Sequence, residues 1–470
     1  MMNLSQVFDF VTATNKIGDG DVEIKRVHTD TRSLLPGDLF VALKGDTFDG
    51  NTYLVAAKSK GAVAAIAQSG LAQADLFGVE VVDSKLALGE LAAAWRGQFK
   101  LPLIAVTGSN GKTTVTQMIA SILRAFSPAG AFATEGNFNN DIGVPLTLLR
   151  LTNAHRVGVV ELGMNHPGEI SYLSGLTKPT VALVNNAQRE HLEFMGTVAA
   201  VAAENGCVLT SLPPNGIAVF PADDTHSAVW RELAIERRVL TFALDGPADF
   251  TAEALWTSDA WQVCADTPAG QIDFQLHIAG RHNVKNALAA VACALAAGVP
   301  LSSIASGLST FRPVKGRSRA VTVSLLGHKL TLIDDTYNSN PDSMRAAIDV
   351  LVSLPGPRLL VMGDMGEVGN QGQQFHAEAG LYAKQKGVDQ LFTLGELSTL
   401  ASDSFSKGVH FADADTLLAA VIAQLPKVGS VLVKGSRFMQ MERVIAAVTK
   451  YEKETAIKSE NTQLDNRHAA

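Results

Sequence analysis

The sequence predicts an α/β protein built in three domains, and three observations carry that prediction. The chain has 470 residues, more than one hydrophobic core supports. Short, continuous apolar runs alternate with stretches of helical spacing, the pattern of strands buried on both faces of a parallel sheet. One run and one helix are separated by a glycine-rich loop, Thr107-Gly108-Ser109-Asn110-Gly111-Lys112-Thr113-Thr114.

The first segment, residues 1–84, contains Gly37-Asp38-Leu39-Phe40-Val41-Ala42-Leu43-Lys44-Gly45, the turn Asp49-Gly50 and the run Ala62-Val63-Ala64-Ala65-Ile66-Ala67. Short strands and one helix are expected there, with turns at the Gly and Asp clusters. The second segment, residues 85–313, opens with a helix over 85–99, apolar at Leu86, Leu88, Leu91, Ala92 and Trp95. A strand follows at Leu103-Ile104-Ala105-Val106. Beyond the glycine loop, Val115, Met118, Ile119, Ile122, Leu123 and Phe126 make the stripe of an amphipathic helix. Further strands are expected at 157–160, 181–184 and 217–220.

The third segment, residues 314–452, alternates strands at 330–333, 359–362 and 431–433 with helices at 342–354 and 437–450. That is the order of a Rossmann-like sheet. Residues 453–470 are polar without an apolar period, and no regular structure is expected of them.

Bulk properties exclude several classes. Hydrophobic residues make up 47% and charged ones 18%, as in folded soluble proteins. A formal charge of −7 leaves no basic footprint for nucleic acid or an anionic membrane. Cys207, Cys264 and Cys293 lack metal-ligand spacing, and reduced thiols in a cytoplasmic protein are expected. The start, Met1-Met2-Asn3-Leu4, has no basic region leading into an apolar core, and no apolar run is long enough to span a membrane.

The glycine loop carries the chemistry. Gly108 and Gly111 let backbone N–H groups turn inward onto phosphate oxygens, and the helix N-terminus adds partial positive charge. Lys112 brings a full charge to the β- and γ-phosphates, and Thr113 offers a hydroxyl to Mg²⁺. The long form of this loop has a glycine where Val106 stands, so this is a shorter variant. Glu161 ends the run 157–160 at the carboxyl edge of the sheet, where ligand sites of such sheets lie. It is a second oxygen donor for Mg²⁺, although an isolated glutamate there would be a solvated one. His191 follows the strand 181–184 closely enough to reach the same edge, or to be a packed histidine.

These residues and their flanks resemble the Mur ligases. The shared motifs are the loop itself, Val160-Glu161-Leu162-Gly163-Met164-Asn165, Asn185-Asn186-Ala187 with His191-Leu192-Glu193, and Gly280-Arg281-His282-Asn283-Val284-Lys285-Asn286-Ala287. Others resemble the branch that adds D-alanyl-D-alanine. They are Thr29-Asp30-Thr31-Arg32 with Pro36-Gly37-Asp38-Leu39-Phe40, Gly136-Asn137-Phe138-Asn139-Asn140-Asp141-Ile142-Gly143-Val144-Pro145, and Asp334-Asp335-Thr336-Tyr337-Asn338-Ser339-Asn340. Gly363-Asp364-Met365-Gly366-Glu367 and Val433-Lys434-Gly435-Ser436-Arg437 complete the set.

The resemblance implies a small N-terminal domain for the UDP-sugar, a central P-loop ATPase-like domain and a Rossmann-like domain that closes over the site. It implies ATP-dependent ligation of D-alanyl-D-alanine to UDP-N-acetylmuramoyl-tripeptide through an acyl phosphate, with Mg²⁺, in a monomer. Lys112, Glu161, His191 and Arg317 would be catalytic. Gly108, Ser109, Asn110, Gly111, Lys112, Thr113 and Thr114 would hold ATP, joined by Asn283 at the adenine, and by Arg317, Asp335, Tyr337 and Asn338. Thr113, Glu161 and His191 would organise the metal. Thr31, Arg32, Lys44, Gly45, Asp49 and Gly50 would face the uridine diphosphate, Asn139 and Asn140 the muramoyl peptide, and Lys434, Ser436 and Arg437 the peptide and incoming dipeptide.

One departure stands out. Many Mur ligases carry a carbamoylated lysine that bridges metal ions, and Asn205 takes its place here. An asparagine forms no carbamate, so a second Mg²⁺ would rest on water or on the neighbouring Glu204. Two alternatives remain open at this stage. One is a sister ligase adding another amino acid or extending folate with glutamate. The resemblance of the first segment to a UDP-sugar binder speaks against the folate version, and the Asp-Asn-Pro-Arg motif of the branch adding the third residue is missing. The other is a regulatory or motor NTPase that only hydrolyses nucleotide.

Overall fold

The computed structural model describes the backbone of residues 1–257, 259–325 and 327–468, and side chains as far as 457. Three sheets dominate it. The first has five strands in the spatial order Asn15–Ile17, Phe77–Glu80, Ala64–Ala67, Asp38–Val41, Arg26–His28. Only the first pairing is antiparallel. Thr31 and Arg32 therefore leave the same carboxyl edge as Lys44 and Gly45, because the strands before them run side by side in one direction.

The central sheet has six parallel strands in the order Arg238–Phe242, Ile217–Pro221, Val181–Val184, Leu103–Thr107, Val157–Glu161, Ala131–Ala133. Leu103–Thr107 is buried throughout, as its unbroken apolarity requires. The helix Lys112–Phe126 buries Val115, Met118, Ile119, Ile122 and Leu123. Phe126 closes the expected stripe but is 41% exposed, because it stands at the end of the helix, past the sheet. Leu86 was likewise expected on the inner face of its helix, observed at Ser84–Gly97, and is exposed. It lies two positions before the buried Leu88, about 200° around the axis.

Helices Arg281–Ala296 and Leu301–Thr310 join Lys112–Phe126 on one face of the sheet. A three-stranded antiparallel sheet, Thr251–Thr257, Ala260–Thr267 and Gly270–Leu276, packs beside them. It was not foreseen. The last of its strands alternates buried and exposed residues rather than forming an apolar block. On the other face, helices Gly143–Leu148, Glu169–Thr177 and Val198–Thr210 share one continuous core with the first sheet. The helix Ser84–Gly97 joins the two: Leu88, Leu91 and Trp95 lie in that core with Ile66 and Val79 on one side and Val160 and Ala182 on the other. Trp95 Nε1 donates to Leu151 O at 3.1 Å, and Arg96 Nε to Thr177 O at 3.0 Å.

The third sheet runs Arg319–Leu325, His328–Asp335, Ser430–Lys434, Arg358–Gly363, Gln390–Leu394, Val409–Phe411, parallel except at the first pairing. Its two faces have cores of their own. The expected structureless tail from 453 needs correction as far as 468; 469 and 470 lie outside the described residues. The helix Glu442–His468 runs through the described part. No Gly or Pro follows Gly435 to stop it, Lys450 and Glu454 lie 3.8 Å apart one turn along, and Glu452 Oε1 accepts from the edge-strand nitrogen of Ser324 at 2.7 Å. Among the described residues no helix is long and apolar enough to cross a membrane.

Candidate active site

The glycine loop bridges the strand Leu103–Thr107 and the helix Lys112–Phe126. Gly108 and Gly111 have φ of +128° and +82°, a region that side chains disfavour. A Cβ on Gly108 would lie 2.9 Å from the backbone nitrogens of Asn185 and Asn186, and one on Gly111 2.7 Å from the Asn185 and Asn286 amides. Val106 belongs to the strand, paired with Glu161 and Leu183, so the turn begins only at Gly108.

Asparagines hold the loop. Asn186 Oδ1 accepts from Asn110 N at 2.8 Å, Asn185 Nδ2 donates to Asn110 O at 2.8 Å, and Asn286 Oδ1 accepts from Asn185 Nδ2 at 3.0 Å. Asn283, expected at the adenine, lines the cavity but is engaged at both ends of its amide. It donates to Ala279 O at 2.7 Å and accepts from Asn286 Nδ2 at 2.9 Å.

Asn205 supports the loop from beneath. Its Oδ1 accepts from Thr107 Oγ1 at 2.6 Å and Gly108 N at 2.9 Å, and its Nδ2 donates to Val201 O at 3.1 Å. Glu204 does not turn to the nucleotide side: it accepts from Ile170 N at 2.9 Å, in the first turn of the helix Glu169–Thr177, and is not part of the cavity wall. Converting Asn205 to Ala strands a buried hydroxyl and the Gly108 N–H. The expected cost is about 2 kcal/mol of stability, read by thermal unfolding. Removal of bicarbonate should leave the rate of the unaltered enzyme unchanged; a rate that falls with bicarbonate would place a carbamate elsewhere.

Thr113 Oγ1 donates to Glu161 Oε1 at 3.1 Å, and Asn139 Nδ2 reaches the same oxygen at 2.8 Å. Glu161 is 2% exposed. Lys112 Nζ donates to Gly108 O, to Ser109 O and, at 2.7 Å, to Glu190 Oε1. His191 Nε2 is 3.5 Å from that Glu190 oxygen, and its Nδ1 is 2.6 Å from Glu367 Oε2. Burial works against a charged imidazole, but Glu190 and Glu367 outweigh it and lift the His191 pKa to about 9. Neither Glu190 nor Glu367 was given a role beforehand, although Glu367 closes one of the shared motifs. Glu190 had one available signal, its place beside His191 in a short segment after a strand end. Among the described residues its Oε2 is buried without a hydrogen-bond partner and faces a polar cavity, as a group awaiting a ligand does.

The third sheet completes the site. Arg317 Nη2 donates to Thr113 Oγ1 at 3.2 Å, and the guanidinium stacks 4.0 Å from the Tyr337 ring centroid. Asp335 accepts from Lys434 Nζ at 2.6 Å and from Ser318 N at 2.9 Å. Burial would raise the Asp335 pKa, but Lys434 and these hydrogen bonds hold it below the usual carboxylate range. A cavity of about 720 Å³ gathers residues 109–114, Asn139, Asn140, Glu161, His191, Asn283, Arg317, Asp335, Tyr337, Asn338 and Lys434.

The remaining expected residues lie outside that wall. Ser436 is buried, donating to Ser339 O at 3.1 Å and accepting from Gly366 N at 2.8 Å. Arg437 pairs with Glu442 at 2.9 Å and lines an adjoining cavity. Asn140, within the wall, caps the helix Gly143–Leu148 through Gly143 N at 2.8 Å. In the first sheet Arg32 is bound to Asp30, Lys44 lies 3.7 Å from Asp49, and Gly50 N donates to Leu43 O at 2.8 Å. The structure thus separates a first-domain surface from the phosphate site, with Asn139 and Asn140 on the central domain's side.

A phosphate loop at the edge of a parallel sheet, met from a second nucleotide-type domain by an arginine, defines a P-loop enzyme that works on phosphoryl groups between two domains. The models of the Mur ligase middle domain, of the Mur ligase glutamate ligase domain and of the Mur ligase family catalytic domain match residues 106–294, 316–437 and 23–96. The chain is 42% identical over 453 residues to the UDP-N-acetylmuramoyl-tripeptide–D-alanyl-D-alanine ligase of Escherichia coli K12, covering 95% of this chain and 98% of the relative. The ligase of the same name from Haemophilus influenzae is 41% identical, with 91% and 94% covered. MurF from Acinetobacter baumannii superposes with a TM-score of 0.89 at 35% identity, covering 96% and 99% of the two chains. MurF from Thermotoga maritima, solved in complex with ADP, gives 0.81 at 27% identity, covering 92% and 99%. The chain belongs to the Mur ligase family, whose members are ATP-dependent ligases.

Proposed function

We propose that this enzyme joins D-alanyl-D-alanine to UDP-N-acetylmuramoyl-tripeptide with ATP, giving the UDP-muramoyl pentapeptide precursor of peptidoglycan in the cytoplasm. The observation that carries the reading is Arg317, brought from the third domain to the hydroxyl of Thr113 above Glu161, in a chain similar over nearly its whole length to ligases of that name.

A carboxylate does not react with an amine at neutral pH. The tripeptide carboxylate instead attacks the γ-phosphorus of ATP, ADP leaves, and an acyl phosphate forms. The dipeptide amine then attacks the acyl carbon, phosphate leaves with the C–O bonding pair, and the amine gives up a proton. Phosphoryl transfer needs placement and charge neutralisation. The loop N–H groups and Lys112 hold the phosphates, and Arg317 meets the charge that moves onto the transferred group. Asp335, Tyr337 and Asn338 wall the nucleotide from the third domain, with Asn283 at its far end. Asn139 and Asn140 face the incoming peptide. The loops of the first domain, with Thr31, Arg32, Lys44, Gly45, Asp49 and Gly50, take the UDP group. Lys434, in the cavity wall, holds Asp335, while Ser436, buried behind that wall, and Arg437 stand on the side of the peptide and incoming dipeptide.

The residues fit a Mg²⁺ site. Thr113 and Glu161 offer hard oxygens 3.1 Å apart, and Glu190 keeps a buried oxygen without a hydrogen-bond partner among the described residues. No group of three His, Cys, Asp or Glu donors forms among the described residues, so phosphate and water would complete the shell, as magnesium prefers. His191 would join as a ligand only as the neutral imidazole. Bound there, Mg²⁺ neutralises charge on the phosphates. Phosphate release with UDP-muramoyl tripeptide should require D-alanyl-D-alanine; release that ignores either substrate would contradict the reading.

A further inference from the structure

Arg189 belongs to the central domain and is not part of the cavity wall. It is nonetheless the most heavily bonded cation that crosses to the third domain. Its backbone N donates to Asp342 Oδ2 at 2.8 Å. Its Nε lies 3.1 Å from Asp342 Oδ1 and its Nη2 2.7 Å from the same oxygen. Its Nη1 donates to Glu378 Oε2 at 3.0 Å, and the guanidinium lies 5.0 Å from the Phe375 ring centroid. The Arg189 and Asp342 side chains are only 23% and 24% exposed, so water screens the pair less than a surface pair.

What Arg189 grips bears on the reaction. Asp342 stands in the first turn of the helix Pro341–Val352. The cap of that helix, Asn340, donates from Nδ2 to Asn110 Oδ1 of the phosphate loop at 2.9 Å. On the other side of the grip, the residue after Arg189 is Glu190, the partner of Lys112. One clamp thus fixes both the third-domain segment that touches the loop and the carboxylate that orients the loop lysine.

We infer that Arg189 is a positioning residue for phosphoryl transfer: its fork on Asp342 and Glu378 holds the third domain in the register that sets Arg317 against Thr113, and anchors the central-domain segment whose next residue, Glu190, meets Lys112. This rests on the ligase reading. Arg189 touches no substrate, so its loss acts on the rate at saturation more than on capture of the UDP-peptide by the first domain.

The test is a double-mutant cycle. R189A should lower kcat about tenfold, or about 1.4 kcal/mol of barrier. Its KM for UDP-muramoyl tripeptide should stay within about twofold of the parent. R189K should recover only part of the rate, because an ammonium cannot span both oxygens of Asp342 and Glu378 as well. R189A combined with D342A should be no slower than the slower single variant. Small-angle scattering with ATP should show R189A more extended than the parent. Additive losses in the cycle, or an R189A kcat equal to the parent, overturn the inference. A parent enzyme that releases phosphate without D-alanyl-D-alanine would instead overturn the ligase reading.

Discussion

Lys112→Ala is expected to abolish measurable turnover, a fall of about a thousandfold or more, while UDP-muramoyl tripeptide still binds. The ammonium has three donors. They are used on Gly108 O, Ser109 O and Glu190, so the side chain is already aimed along the loop where the phosphates lie. Alanine removes the only full positive charge that the loop itself contributes. It also leaves Glu190, 10% exposed in its side chain, as a buried carboxylate facing the nucleotide, which repels phosphate. Equilibrium dialysis with the labelled UDP-peptide separates the two effects. Comparable loss of binding and turnover would make the loop a structural element rather than a phosphate site.

Arg317→Ala should lower kcat by about 100- to 1,000-fold, the range for removing a charged donor from a developing phosphoryl charge. The guanidinium is fixed by the Tyr337 ring and by Thr113, so little reorganisation remains for the moment of reaction. Arg317→Lys should recover less than the retained charge suggests, since a lysine neither stacks in the same way nor presents a planar fork. Rapid-quench measurement of acyl phosphate formation would locate the loss. If the first step kept its rate and only amide formation slowed, Arg317 would serve the leaving phosphate of the second step instead.

The parts of the fold that were legible in the sequence are those encoded locally. A strand buried on both faces reads as continuous apolarity, as at Leu103–Thr107, and the φ-positive glycines of the loop announce themselves by residue type. Glu161 could be placed because the end of a parallel strand is itself a location. Contacts across long separations carried no such signal. Arg317 and Thr113 are 204 positions apart, Arg189 and Asp342 153, and no period in the sequence pairs them. Arg317 was found through motif resemblance, whereas Arg189 lay outside every motif and was missed. Asn205 was noticed only as the absence of a lysine. Its actual task, hydrogen-bonding Thr107 and Gly108, depends on a helix lying under the loop. The tail was missed for another reason: it prolongs a helix that Glu452 ties to Ser324 just before it, and a polar helix has no apolar stripe to betray it.

The helix Ser84–Gly97 merges the first sheet and one face of the central domain into a single core, while the third sheet has separate cores and meets the centre through Leu192, which packs against both, and through ion pairs and amides. Calorimetrically, three domains should therefore melt as two blocks. The first and central domains share apolar burial and should lose it together, whereas the third is joined by contacts that concentrated salt weakens. Raising the salt should draw the two melting transitions apart.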